Sequence, residues 1–222
     1  AQLRDAVAAR PQARVLDLGC GAGHVGFQVA AQAGEVVAYD LSAPMLAVVA
    51  ETAAARGLDN LRTVRGAAEC LPFAEGGFDF VFSRYSAHHW SDVGQALREV
   101  RRVLKPGGRA AFVDVVAPAR PLLDTHLQAV ELLRDTSHVR DYTVTEWLRL
   151  AGEAGLRIER HERQRLRLEF ASWIERMRTP EVFRHAILAL QEAAATEVRD
   201  YFEIAVDGSF STDVMVLWAG RG

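Results

Sequence analysis

The feature that most constrains this chain is the alternation, through its first half, of short apolar runs with longer segments of helical periodicity. Most residues in the apolar runs suit strands that are buried on both faces, and such strands occur in parallel sheets covered by helices. We therefore predict an α/β fold with helices on both faces of a mostly parallel sheet. The five runs are RVLDLG (14–19), EVVAYD (35–40), LRTVRG (61–66), FDFVFS (78–83) and RAAFVDVV (109–116).

The second half predicts two more strands separated by helices. The segment 156–170, LRIERHERQRLRLEF, alternates charged residues with others, which indicates a strand with one solvated face. The segment 213–219, DVMVLWA, has apolar residues at both odd and even positions, so both faces of this strand would be buried. This predicts a central strand that lies between strands formed by earlier parts of the chain. Thr143 and Glu146 form a capping box for one helix, and the periodicity predicts one long helix from 179 to 198.

Composition bounds the class of protein. The 222 residues are 50% hydrophobic and 25% charged, enough apolar material for a single domain spanning 1–222. The net charge of −3 provides no overall positive field, so we expect no nucleic-acid partner. Cys20 and Cys70 are too few for a disulfide framework, and no apolar run approaches the ~20 residues that span a bilayer, so we expect a cytoplasmic protein without membrane insertion. The oligomeric state stays open.

A glycine-rich turn joins the first strand to the first helix. Gly19, Gly21 and Gly23 allow a ligand to approach the backbone there, although the same segment also satisfies the dinucleotide pattern GxGxxG. Asp40 ends the next strand about twenty residues later, where a carboxylate can accept hydrogen bonds from ribose hydroxyls. The turn and Asp40 together predict a nucleoside cofactor, with NAD still an alternative.

Five segments narrow this choice: VLDLGCGAG, AYDLSAPML, AAECLPF, FDFVFSRYSAHHW and LREVRRVLKPGGRAAFVD. With them the chain, from about Arg14 to Val116, resembles the class I S-adenosylmethionine-dependent methyltransferases, most closely the ubiquinone and menaquinone C-methyltransferase-like branch, methyltransferase type 11. The resemblance implies a Rossmann-like seven-stranded sheet with its last strand antiparallel and helical insertions after strands five and six. It also implies a cofactor-binding core over 14–116, and we expect 117–205 to shape the substrate pocket. Few residues precede the first strand, and additional N-terminal helices, common in relatives, would cover the cofactor.

The resemblance also implies which residues hold S-adenosylmethionine. The residues around the methionine part would be Asp17, Gly19, Cys20, Gly21, Ser83 and Arg84. Asp40 would bind the ribose, and Leu41 and Met45 would pack on the adenine faces. The edge of the adenine would face Ala67, Ala68 and Glu69. Members of the family often have an aspartate at the position of Ala67. Without it, adenine recognition would rest on the backbone of Ala68 or on Glu69.

Acceptor contacts are expected just past the fourth strand and in a polar segment after the fifth. Tyr85 is expected to face a small organic acceptor, with His88 or His89 as the base, since imidazole titrates near neutrality. His138 and Tyr142 are further candidates from the polar segment. The adjacent histidines lack further ligands at suitable spacing, so we expect no metal.

Some alternatives stay open at this point. Asp114 ends the fifth strand and is either part of the site or the cap of a turn. Arg84 and Arg140 are both candidate anchors for an anionic substrate. An NAD-dependent oxidoreductase, or a protein that binds S-adenosylmethionine without catalysis, would share the glycine turn.

Overall fold

The computed structural model describes residues 2–222 and contains seven strands and nine α-helices in that range. The strands are β1 (Arg14–Leu18), β2 (Glu35–Asp40), β3 (Leu61–Arg65), β4 (Phe78–Arg84), β5 (Leu104–Val116), β6 (Arg157–Leu168) and β7 (Phe210–Gly220). The helices are α1 (Gln2–Ala8), α2 (His24–Val29), α3 (Ala43–Ala55), α4 (Val93–Val103), α5 (Pro121–Arg134), α6 (Val144–Glu153), α7 (Phe170–Met177), α8 (Glu181–Glu192) and α9 (Thr196–Phe202).

The strands form one seven-stranded sheet in the order β3-β2-β1-β4-β5-β7-β6. The first five strands pair in parallel, and the sheet is Rossmann-like with an antiparallel last strand, as predicted. β1 pairs with β2 on one side and with β4 on the other, so the strand order reverses at β1. Open α/β sheets bind ligands beyond the carboxyl ends of the strands at such a point.

The later strands follow the predicted pattern with different bounds. β7 lies between β5 and β6, which confirms the central strand, and the charged β6 lies at the sheet edge, where charges discourage pairing with other chains. β5 begins at Leu104, five residues before the predicted start. Leu104 pairs with Phe78 and Arg109 with Phe80, so the Lys-Pro-Gly-Gly segment is an irregularity within the strand and not a turn before it.

Helix starts follow the expected capping chemistry. The Ser42 hydroxyl accepts a hydrogen bond from the Met45 amide at 3.4 Å at the start of α3. The capping box is present before α6, where Thr143 N donates to Glu146 Oε2 at 2.8 Å and Glu146 N donates to Thr143 Oγ1 at 3.1 Å.

The single long helix predicted from 179 to 198 is wrong. The backbone at Ala195 is extended, with φ −59° and ψ 152°, and divides the segment into α8 and α9. Val198 and Phe202 of α9 are both buried. The three alanines before Thr196 continue a helical pattern and bury little surface, so periodicity did not reveal the break.

The chain divides into two compact units. The first comprises residues up to Asp114, 147–162 and 216–222, and the second comprises 115–146 and 163–215. In the second unit α5 packs against α8 and α9, and the Arg134 guanidinium lies over the Trp173 ring. None of the helices among residues 2–222 is long and apolar enough to cross a bilayer. One hydrophobic core of the first unit comprises Val7, Ala13, Val15, Val25, Val29, Ala30, Val36, Phe80, Phe82, Ala111 and Trp218.

Candidate cofactor and active site

The glycine turn after β1 is fixed by backbone hydrogen bonds to β2. The amides of Gly19 and Cys20 donate to the Tyr39 carbonyl at 2.8 and 3.1 Å. Gly19 has φ +67°, and a Cβ there would overlap the Ser86 side chain. Gly21 also has a positive φ, +50°, but a Cβ there would meet nothing within 4 Å. The turn is therefore packed at Gly19 and open at Gly21, where a ligand can approach the backbone.

Asp40 joins the end of β2 to this turn. Its Oδ2 accepts a hydrogen bond from the Gly21 amide at 2.8 Å, and its Oδ1 accepts one from the Ser42 amide at 2.8 Å. A carboxylate has about four acceptor positions, so each oxygen keeps one for a ligand hydroxyl. The predicted ribose acceptor is thus held rigidly beside the open glycine.

Asp17 lies beneath the turn. Its side chain is 1% exposed, and its Oδ2 accepts a hydrogen bond from the Gly26 amide of α2 at 2.7 Å. The pKa of this carboxyl is raised to about 7, chiefly by burial and also by the Asp40 charge, against the lowering effects of the Gly26 amide and Arg84. Asp17 therefore anchors the first turn of α2 from inside the fold.

Cys20 also points into the interior. It packs with Ala38, Leu46 and Val49. Burial, with the charges of Asp17 and Asp40, raises the pKa of its thiol well above the usual range. A buried thiol that stays protonated is a poor nucleophile, so any contact of Cys20 with a cofactor would use its backbone.

Two apolar side chains next to Asp40 stand in solvent. Leu41 is 65% exposed and Met45 is 44% exposed, so neither is a core residue. Val48, the next residue on the exposed side of α3, is 47% exposed. Exposed apolar side chains that adjoin one another often mark a binding surface.

The segment after β3 is tied to its surroundings at both ends. The Tyr39 hydroxyl donates to the Ala67 carbonyl at 3.1 Å, and Ala68 is buried. Glu69 Oε1 accepts hydrogen bonds from the amides of Ser91 and Asp92 at 2.7 and 3.2 Å. One carboxylate oxygen of Glu69 is thus used at the start of α4, a contact that no sequence pattern predicts.

The end of β4 combines an unpaired hydroxyl with a strained backbone. Ser83 is 2% exposed, and its Oγ lacks a hydrogen-bond partner within residues 2–222. Arg84 is exposed, and its guanidinium lies 4.6 Å from the centroid of the Tyr85 ring. Tyr85 has φ +52°, and its amide donates to the Val113 carbonyl at 2.8 Å. A bulky residue with positive φ stores strain, and such residues cluster at functional sites.

His88 and Asp114 form a close pair beyond β4. His88 Nδ1 lies 2.6 Å from Asp114 Oδ1, and Asp114 Oδ2 accepts a hydrogen bond from the Ala87 amide at 2.8 Å. Asp114 is 3% exposed, and the His88 and His89 rings lie 4.2 Å apart. Asp114 therefore orients His88 and also accepts the Ala87 amide, and its position at a strand end alone could not separate the first contact from a turn cap.

The polar segment of the second unit is held by a glutamine that the sequence did not single out. Gln128 Oε1 lies 2.9 Å from His138 Nε2 and accepts a hydrogen bond from the Asp141 amide at 3.0 Å. His138 itself is 8% exposed. Gln128 lies on α5 beside buried Leu127, and periodicity cannot distinguish such a residue from a solvated one.

Arg140 and the arginines of β6 are ion-paired. Arg140 Nη2 lies 3.1 Å from Asp124 Oδ2 and 3.6 Å from Glu146 Oε1. The arginines of β6 form ion pairs with acidic residues of their own compact unit. The pairs are Arg157 with Glu159, Arg160 with Glu162, Arg163 and Arg165 with Asp213, and Arg167 with Glu169.

Comparison with known proteins agrees with this geometry. A family model described as a methyltransferase domain matches residues 16–112. The uncharacterised Escherichia coli protein YafE is 54% identical over 199 residues, which cover 90% of this chain and 96% of YafE. The Bacillus subtilis protein YcgJ, described as an uncharacterised methyltransferase, is 38% identical over 198 residues, covering 89% of this chain and 78% of YcgJ.

The crystal structure of YcgJ superposes with a TM-score of 0.93 at 34% identity, covering 99% of this chain and 97% of that structure. A 2-phytyl-1,4-naphthoquinone methyltransferase of Synechococcus elongatus is 39% identical over 122 residues, about half of each chain. These relatives set aside the oxidoreductase and the non-catalytic protein that the glycine turn left open. The chain is a member of the class I S-adenosylmethionine-dependent methyltransferases, in the methyltransferase type 11 branch.

Proposed function

We propose that this enzyme transfers a methyl group from S-adenosylmethionine to a small organic acceptor, with the cofactor bound across the carboxyl ends of β1 and β2. The observation that carries the proposal is Asp40. Its carboxylate bonds the Gly21 amide and still has acceptor positions free, as a ribose diol requires.

The neighbouring residues fit the remaining parts of this cofactor. Leu41 and Met45 present exposed apolar surface on which an adenine ring can pack. Ala67 has no side-chain acceptor for the adenine amino group, and one oxygen of Glu69 already binds two amides, so we assign adenine-edge recognition to the backbone of Ala68. Gly19, Cys20 and Gly21 would contact the methionine part through their backbone, with Asp17 holding the turn from below.

Ser83 suits the methionine part for a separate reason. A buried hydroxyl without a partner is costly, and the cost is removed when a ligand supplies the missing hydrogen bond. Ser83 lies one residue before the end of β4, on the strand that pairs with β1. A polar group of the bound cofactor would complete its hydrogen bonding.

The bound cofactor supplies an activated methyl group on a sulfonium, so the protein needs mainly to position the acceptor. Positioning of this kind accounts for about 7 to 11 kcal/mol of a barrier when it is near ideal. A base is required only where the acceptor loses a proton. His88 is our candidate, because an imidazole can accept a proton and the Asp114 carboxylate, with Oδ1 2.6 Å from Nδ1, orients its ring.

Tyr85 and His138 remain candidates for acceptor contact. Tyr85 follows β4 with its backbone held in a strained conformation, which fixes the direction of the ring. His138 is held within the second unit by Gln128 through Nε2. The naphthoquinone methyltransferase relative supports an aromatic or quinone-like acceptor, and we propose that class.

Calorimetry with S-adenosylmethionine and with NAD tests the cofactor. We expect binding of the former with one site per chain and no binding of NAD; the reverse result contradicts the proposal. Turnover is then followed by release of S-adenosylhomocysteine over a panel of hydroquinones and phenols. Mass spectrometry of small molecules retained by the purified protein offers an independent route to the acceptor, and complete lack of turnover despite cofactor binding would count against catalysis of this acceptor class.

A further inference from the structure

A small cavity in the first unit adjoins the glycine turn. Its volume is about 190 Å³. It combines polar groups with apolar walls, a composition typical of small-molecule sites. The lining includes the polar Arg84, His24 and Gln28 and the apolar Val25, Val113 and Val216.

The position of the cavity relates it to the proposed cofactor site. His24 follows Gly23 directly, and Val25 precedes Gly26, whose amide binds Asp17. The charge of Arg84 acts on Asp17, lowering the pKa of that carboxyl against the effect of burial. The cavity therefore adjoins the first turn of α2, which Asp17 anchors through the Gly26 amide.

Arg84 is the charged residue of this cavity that could bind an anionic ligand. Over residues 2–222 no carboxylate forms an ion pair with Arg84, whose guanidinium lies over the Tyr85 ring. Arg140, the other candidate anchor for an anionic substrate, is bound to Asp124 and Glu146. The structure thus separates two arginines that the sequence left equivalent.

The shape of the guanidinium indicates the kind of anion. Its planar donors match a carboxylate in a two-point hydrogen bond, which adds both energy and direction. Val25, Val113 and Val216 offer apolar surface for the rest of the molecule. An apolar cavity of about 150 Å³ holds a benzene ring. The volume here therefore suits one aromatic ring carrying one small anionic group.

We propose that this cavity binds the methyl acceptor, and that the acceptor is a single-ring aromatic carboxylate held through its carboxylate by Arg84. The proposal rests on the proposed function, because it treats the cavity as the acceptor side of a methyltransferase site. It goes beyond that function by naming the charge, the approximate size and the anchoring residue.

The test compares two probes of the same size, benzoate and benzamide, by calorimetry on the whole protein, with and without S-adenosylhomocysteine. Wild type is expected to bind benzoate in preference to benzamide. Arg84→Gln should weaken benzoate binding about tenfold or more, since hydrogen bonds between charged groups are lost, and should leave benzamide unaffected. Arg84→Lys should recover part of the affinity, because it keeps the charge and loses the two-point geometry.

Arg56→Gln is the matched control. Arg56 also lies over an aromatic ring, 4.5 Å from the Phe27 centroid, and it lines a different cavity. This variant removes the same charge from the same unit and should leave benzoate binding unchanged. Thermal unfolding of each variant establishes that it is folded before binding is compared.

Two results would overturn the proposal. The first is equal binding of benzoate and benzamide by wild type, or binding of neither. The second is a loss of S-adenosylmethionine affinity in Arg84→Gln without loss of affinity for 5′-methylthioadenosine, which has no carboxylate; Arg84 would then hold the carboxylate of the donor. Failure of the proposed function is distinguishable, because wild type would bind neither S-adenosylmethionine nor its product while the probe comparison stays measurable.

Discussion

His88 Nδ1 lies 2.6 Å from Oδ1 of the buried Asp114, whose other oxygen is occupied by the Ala87 amide. An ionised carboxylate only accepts hydrogen bonds, so Nδ1 of His88 is the donor toward Asp114. Asp114 therefore orients the His88 ring and favours the tautomer that carries its proton on Nδ1.

Asp114→Asn tests this relationship. An amide can present N–H to Nδ1 and reverse the tautomer, so we expect nitrogen-15 NMR of labelled histidine to show the His88 proton moving to Nε2. Where an acceptor is turned over, kcat should fall at least tenfold with S-adenosylmethionine affinity unchanged, and by at most the 10²–10⁴-fold that a general base itself contributes. Asp92→Asn, at the N-cap of α4, is the control. An unchanged tautomer in Asp114→Asn would contradict the assignment.

Substitution of Asp40 should weaken cofactor binding. Asp40→Ala removes charged hydrogen bonds worth about 1.5 to 3 kcal/mol each, so S-adenosylmethionine affinity should fall at least tenfold by calorimetry. Asp40→Asn retains one oxygen for the Gly21 or Ser42 amide and should lose less. Equal affinity in wild type and Asp40→Ala would mean that the ribose is held elsewhere.

The pH dependence of stability should reveal Asp17. Its pKa is about 7 in the folded protein against an ordinary value of 3.8, so between these values the folded state holds a proton that the unfolded chain has released. The contribution of Asp17 to the free energy of unfolding therefore decreases as pH rises from about 4 to about 7, by about 1.4 kcal/mol for each unit of pKa difference.

Denaturant unfolding of wild type and Asp17→Asn, followed across this range without cofactor, measures that contribution as the difference between the two proteins. The asparagine variant keeps an acceptor for the Gly26 amide and does not titrate. A difference that stays constant from pH 4 to pH 7 would show that the carboxyl ionises normally.

Two glycines of the same turn should respond differently to alanine. A Cβ at Gly19 would overlap Ser86, whereas a Cβ at Gly21 meets open space, although both positions have positive φ. Gly21→Ala should cost about 1 kcal/mol of stability and weaken S-adenosylmethionine binding, because the methyl group occupies space the cofactor needs. Gly19→Ala should be the more destabilising in thermal unfolding. Equal loss of stability in the two variants would contradict the packing of Gly19 against Ser86.

The sequence predicted the α/β fold with its mostly parallel sheet, and it placed the glycine turn and Asp40 at strand ends, because these features depend on short-range patterns. A run such as EVVAYD buries both of its faces, and a glycine turn followed by a strand-end carboxylate has a fixed spacing along the chain. The break between α8 and α9 was missed because a run of alanines continues the helical pattern whether or not the backbone bends at Ala195.

By itself the sequence determined the sheet, the glycine turn and the family, since each depends on patterns of residues that are close together along the chain. Only the tertiary structure decided that Asp114 orients His88, that Gln128 holds His138, and that Arg140 is paired while Arg84 is not. The physical reason is that hydrogen bonds and ion pairs depend on distances of a few ångströms between side chains many residues apart, and the fold alone sets those distances.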